Sequence, residues 1–150
     1  MEFDAIVTGI SLILTPTGLA LILISVLIGV IIGALPGLSS TMAVALLLPF
    51  TIGMDPILAI SMMAALYCAG TFGGSITAIL INAPGAPPAV ATALDGYPLA
   101  QRGEAGRALG IAAISSISGG LMSLVIFIFA APLLADIALK IPTRIFRHRF

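Results

Sequence analysis

Two Pro-Gly pairs, Pro36-Gly37 and Pro84-Gly85, interrupt a chain that is otherwise almost continuously apolar, and they constrain its fold more than any other feature. Between Asp4 and Asp55, and again between Asp55 and Asp95, no residue is charged. With 60% hydrophobic and 8% charged residues, the 150-residue chain lacks the polar surface a water-soluble globule needs. It is therefore expected in a lipid bilayer, with helices that stop where proline removes an N–H donor and clashes with the turn before it.

The expected fold class is an all-α integral membrane protein with three full transmembrane helices and short half-helices after the two breaks. Thr15-Pro16 reads as a helix start, a capping hydroxyl followed by proline at the first helical position, and the apolar run 19–35 is the first span. After Pro36-Gly37, residues 42–52 are too few to cross a hydrocarbon core of about 30 Å, which predicts a half-helix or re-entrant piece. Asp55-Pro56 repeats the capping device and opens the second span, 57–81. That span carries the small-residue cluster 69–75, which reads either as a helix-packing surface or as a substrate-lining wall. Three prolines in the segment 82–88 end the helix. A short apolar piece, 89–94, leads into a polar stretch at 95–107 read as an aqueous loop, and 108–134 is the third span.

A shift of 48 positions superposes Ile28, Ile31, Pro36, Gly37, Ala43, Ala45 and Leu46 on Ile76, Ile79, Pro84, Gly85, Ala91, Ala93 and Leu94, so the two breaks read as equivalent. Unpaired backbone N–H or C=O groups cost several kcal/mol in lipid, so broken helices at membrane depth point to a polar cavity. There, a helix end offers carbonyls to a cation, and a helix start offers N–H groups to an anion. The expected substrate site is Pro36, Gly37, Ser39, Ser40, Thr41, Asn82, Pro84 and Gly85. The expected cation site is Ser75, Thr77 and Asn82. Each hydroxyl also has a plainer reading, a bond to a carbonyl one turn back. No Asp, Glu, Lys, Arg or His lies in the middle of a span, so coupling to Na⁺ through neutral oxygens is expected rather than a proton relay.

Other function classes find little support. Zero net charge without a basic stripe argues against nucleic acid. The lone Cys68 and the absence of a Cys/His cluster argue against disulfide and zinc chemistry, and no Ser or Cys has a visible base, so neither an enzyme nor a resident cofactor is expected.

Five blocks carry a family resemblance: Gly33-Ala34-Leu35-Pro36-Gly37-Leu38, Leu48-Pro49-Phe50, residues 67–74, Ile79-Leu80-Ile81-Asn82-Ala83-Pro84-Gly85, and residues 92–100 around Leu94-Asp95-Gly96-Tyr97-Pro98. Together, over residues 1–139, they resemble the N-terminal portion of the large permease subunit, TctA type, of tripartite tricarboxylate transporters. The resemblance implies a multi-pass protein of the bacterial inner membrane that takes a carboxylate such as citrate from a periplasmic substrate-binding protein. It also implies a small membrane subunit as third partner and cation symport as the driving force.

Residues 140–150 are expected to be a basic tail foreign to that family, since four of the six basic residues, Lys140, Arg144, Arg147 and Arg149, lie there. One span separates them from Arg102 and Arg107, whereas positive residues should gather on one face. The expectation is a truncated or frameshifted permease fragment that is inactive alone. The alternative is a small membrane scaffold or assembly protein without transport activity.

Overall fold

The computed structural model describes residues 2–140; the tail beyond Lys140 lies outside the described residues. Six α-helices and one 3₁₀ turn follow one another: α1 (Glu2–Ile13), α2 (Pro16–Gly33), α3 (Ser40–Leu47), the 3₁₀ turn (Leu48–Thr51), α4 (Pro56–Ile81), α5 (Ala89–Gln101) and α6 (Ala105–Lys140). There are no strands among the described residues. Three helices are long and apolar enough to cross a membrane: α2, α4 and α6 over Ala105–Ala131. Short helices follow both breaks, as expected.

The helix starts follow the expected chemistry. Thr15 Oγ1 accepts the Gly18 N–H at 3.1 Å and also donates to the Leu12 carbonyl at 2.6 Å, so one hydroxyl joins the end of α1 to the start of α2. Asp55 Oδ1 accepts the Ile57 N–H at 2.9 Å, with Pro56 at the first helical position. α1 is not among the helices expected from the sequence; it holds Glu2 and Asp4 in its first turn and is shorter than a span.

The polar stretch 95–107 is corrected. Residues up to Gln101 continue α5, with Pro98 inside it, and the connection to α6 is only Arg102, Gly103 and Glu104. The helix stops through its C-terminal geometry rather than at the polar residues: Gly103, at φ +82°, donates to Ala100 O at 2.9 Å, and Glu104 donates to Leu99 O at 3.1 Å. Polarity had signalled water exposure, and an exposed helix satisfies that signal as well as a loop does.

Residues up to Ala112 form one compact unit and those from Ala113 a second, the latter consisting in its described part of the remainder of α6. Within the first unit, α2 and α4 pack through glycine. A Cβ on Gly29 would lie 2.6 Å from Leu66 O and 2.9 Å from Ala69 Cβ. On Gly33 it would collide with the Gly70 backbone, and on Gly73 it would meet Ala34 N at 3.1 Å. Contact positions rise together along both helices, so α2 and α4 run in the same direction. Gly29-x-x-x-Gly33 on α2 faces Gly70 and Gly73 on α4, the close backbone approach that small residues four apart permit.

Parallel α2 and α4 require the intervening chain to come back. Ser40 begins α3 beside Gly70, where a Cβ on the glycine would lie 3.0 Å from Ser40 Cβ. From there to Asp55, α3 and the 3₁₀ turn supply roughly 20 Å of rise, close to the roughly 21 Å of α4 between Pro56 and Gly70. The segment thus descends antiparallel to α4.

At its far end the chain doubles back. Asn82, in the left-handed region at φ 55°, closes α4. The N–H groups of Asn82 and Ala83 both point at Thr77 O, the second at 3.3 Å. Gly85 then donates to Gly74 O at 3.5 Å, about 10 Å below the end of α4. From that level α5 rises beside α4 again: buried Ala89 and Ala93 cluster with Ala78, and Gly96 sits against the Ile79 side chain.

Candidate functional site at the two chain breaks

The two breaks meet at one level of α4. Pro36 and Gly37 form the centre of a turn in which Leu38 donates to Leu35 O at 3.1 Å, with Gly37 at φ +92°, a conformation that disfavours any Cβ. Gly33, just before that turn, presents its carbonyl to Gly85, and a Cβ on Gly85 would overlap it. The same Cβ would also meet Gly74 Cα at 3.1 Å, so Gly85 is wedged against both α2 and α4. Gly70 and Gly74 lie about 21 and 27 Å along a helix about 39 Å long, well inside its uncharged length. The C-terminal end of α2, the first residue of α3 and the approach to α5 therefore converge on the middle of an unbroken helix.

The polar groups at this junction divide into two sets. Ser40 is 4% exposed, and its Oγ lies 3.1 Å from Thr71 Oγ1. Thr71 Oγ1 donates its only proton to Tyr67 O at 2.9 Å, so Ser40 must be the donor in the pair. What remains on the Ser40 hydroxyl is lone pairs, which suit a cation or an N–H rather than a carboxylate. Ser39 Oγ caps α3 by accepting the Met42 N–H at 3.3 Å and lies 2.7 Å from Thr41 Oγ1. Those two hydroxyls share one bond between them, so one O–H is left to donate, which suits an anion.

The expected cation residues are only partly gathered. Thr77 and Asn82 meet at the end of α4, through the Asn82 N–H on Thr77 O. Ser75 stands two positions before Thr77, about 200° around the helix, and so points elsewhere. Both hydroxyls donate within α4, Ser75 to Thr71 O at 3.5 Å and Thr77 to Gly74 O at 3.2 Å, which is the plainer reading of each. Pro84 is exposed and Gly85 buried.

The sequence profile of the tripartite tricarboxylate transporter TctA family matches residues 19–146, which takes in α2 to α6 and both breaks. The chain belongs to the TctA family. A relative from Agrobacterium vitis, described as an uncharacterized 52.8 kDa protein in the TAR-I ttuC′ 3′ region, is 41% identical over 132 residues. The alignment covers 88% of this chain and 26% of that protein, so the chain spans about a quarter of the length of the curated relative. No solved structure matches. The TctA match continues seven residues past Leu139, the point at which the sequence reading ended the resemblance.

Within this TctA chain, Thr71 and Gly33 are the site residues that sequence reading did not single out. Thr71 lay inside the small-residue cluster 69–75, whose two readings now separate by position. Gly70, Gly73 and Gly74 pack against backbone, while Thr71 reaches the hydroxyl of Ser40. Gly33 sits four after Gly29, a spacing that was available as a signal.

Proposed function

We propose that this chain is part of the membrane permease of a binding-protein-dependent secondary transporter for tricarboxylates or other small carboxylates, in a bacterial inner membrane. A periplasmic binding protein and a small membrane subunit are its partners, and cation symport, with Na⁺ as the ion, drives uptake. Membership of a transporter family supports the class. The observation that carries the site is the convergence of Gly33, Ser40 and Gly85 on Gly70–Gly74, in the uncharged interior of α4.

In this reading the carboxylate meets the spare hydroxyl of the Ser39–Thr41 pair at the positive end of α3, beside Pro36-Gly37 and the Asn82–Gly85 segment. The cation takes lone pairs from Ser40 and from α2 carbonyls near Gly33, with Ser75, Thr77 and Asn82 as the second place to look. The chain's quarter-length match leaves the rest of the site to further spans, so activity of the chain alone is not expected.

The test is uptake of labelled citrate into proteoliposomes holding the full-length permease of this family and its small subunit, with purified binding protein outside and an imposed Na⁺ gradient. Uptake that needs the binding protein, and that falls with Asn82→Ala and with Gly37→Ala, supports the reading. Full uptake in both variants would remove these residues from the site.

A further inference from the structure

We propose that the two breaks are the tips of two re-entrant hairpins that enter the bilayer from opposite faces and touch at Gly33 and Gly85. The proposal rests on the chain lying in a membrane and not on carboxylate transport, so loss of uptake in the experiment above would leave it standing.

The chain directions carry the argument. α2 rises beside α4 and stops at Gly33, level with Gly70, about 17 Å short of the level where α4 ends. α3 and the 3₁₀ turn then return to the level of Asp55, so α2 starts and the 3₁₀ turn ends at the same end of α4. Next, α4 crosses. Past Ile81 the chain dips to Gly74 and α5 climbs out again, so this second excursion begins and ends at the opposite end of α4.

Charge placement brackets the depth. Asp55 marks one end of α4, and Asp95, next to the Gly96 that sits on Ile79, marks the other. The contact between the tips lies between these charged ends. The tips meet backbone to backbone, the Gly33 carbonyl against Gly85, with no side chain between them. A Cβ on Gly85 would fall on the Gly33 carbonyl and one on Gly33 on the Gly70 backbone, so neither tip position takes a side chain.

Single cysteines test this in the full chain, in a Cys68→Ala background, expressed in the inner membrane of a bacterium. Thr17→Cys, Ile52→Cys, Leu35→Cys and Gln101→Cys all fall at exposed positions. Intact spheroplasts and inverted vesicles are treated with a bulky, membrane-impermeant maleimide, and each variant is treated again after detergent solubilisation to confirm that its thiol reacts.

The expected result is that Thr17→Cys and Ile52→Cys label from one face and Gln101→Cys from the other. Leu35→Cys, at the first tip, should react with the bulky reagent at least about tenfold more slowly than Gln101→Cys and be reached by a small charged thiosulfonate. Labelling of Thr17→Cys and Ile52→Cys from opposite faces would overturn the first hairpin. Labelling of Gln101→Cys from the same face as Ile52→Cys would overturn the second. Rapid bulky labelling of Leu35→Cys would show that α2 and α3 each cross fully.

Discussion

Replacing Gly33 with alanine should destabilise the protein, although the same change in an open helix would stabilise it. In an unconstrained helix, alanine is favoured over glycine by about 0.8–1 kcal/mol. At Gly33 the added Cβ would lie 2.7 Å from Gly70 Cα and closer still to the Gly70 carbonyl. Ordinary contact begins near 3.4 Å and the Gly70 carbonyl oxygen is the nearest atom, so α2 and α4 must part by roughly 1–1.5 Å, and overpacking of this kind costs about 1–3 kcal/mol. The net expectation is a loss of about 0–2 kcal/mol, against a gain of up to about 1 kcal/mol at Gly110, where nothing lies within 4 Å of a built Cβ. At about 2–4 °C per kcal/mol, the two variants should differ in thermal midpoint by several degrees. The assay is thermal unfolding in one detergent, followed by size-exclusion chromatography of heated samples. Equal shifts of the same sign in Gly33→Ala and Gly110→Ala would refute the close-packing argument, because propensity alone would then account for both.

Other substitutions probe the junction from different sides. Thr71→Val should leave the buried Ser40 hydroxyl without its acceptor and cost about 1–3 kcal/mol in the same thermal assay, while Thr71→Ser keeps the wild-type midpoint. Ser39→Ala should lose the α3 cap at about 1 kcal/mol, and Ser39→Asp should recover it. Asn82→Gly should preserve the left-handed closure of α4 and hence stability, so any loss of citrate uptake in that variant reports the side chain alone. Neutralising Arg107, whose exposed Nη1 sits 2.8 Å from Glu104 Oε2, should move the thermal midpoint by less than about 0.5 kcal/mol equivalent.

The helices of this chain were legible where chemistry is local. Thr15-Pro16 and Asp55-Pro56 each name a helix start because cap and proline act within one turn. The repeat also survives, since the shift that pairs the Pro-Gly breaks sets Gly33, the last residue of α2, on Ile81, the last of α4. What could not be read was direction. The two breaks look alike in sequence, yet the first turns the chain down into α3 and the second turns it back up into α5. That difference depends on which glycine of α4 each break meets. Thr71 was hidden for the same reason: its partner Ser40 stands 31 residues away, and no periodicity links them.

That separation also has a consequence for synthesis. Ser40 emerges from the ribosome before Thr71 exists, and at about 5–20 residues per second the wait is roughly 2–6 s. During those seconds the start of α3 lacks both its hydroxyl partner and the Gly70 backbone beside it. The start of α3 therefore cannot take its final packing when it is made, and its hydroxyl must find another partner until α4 arrives.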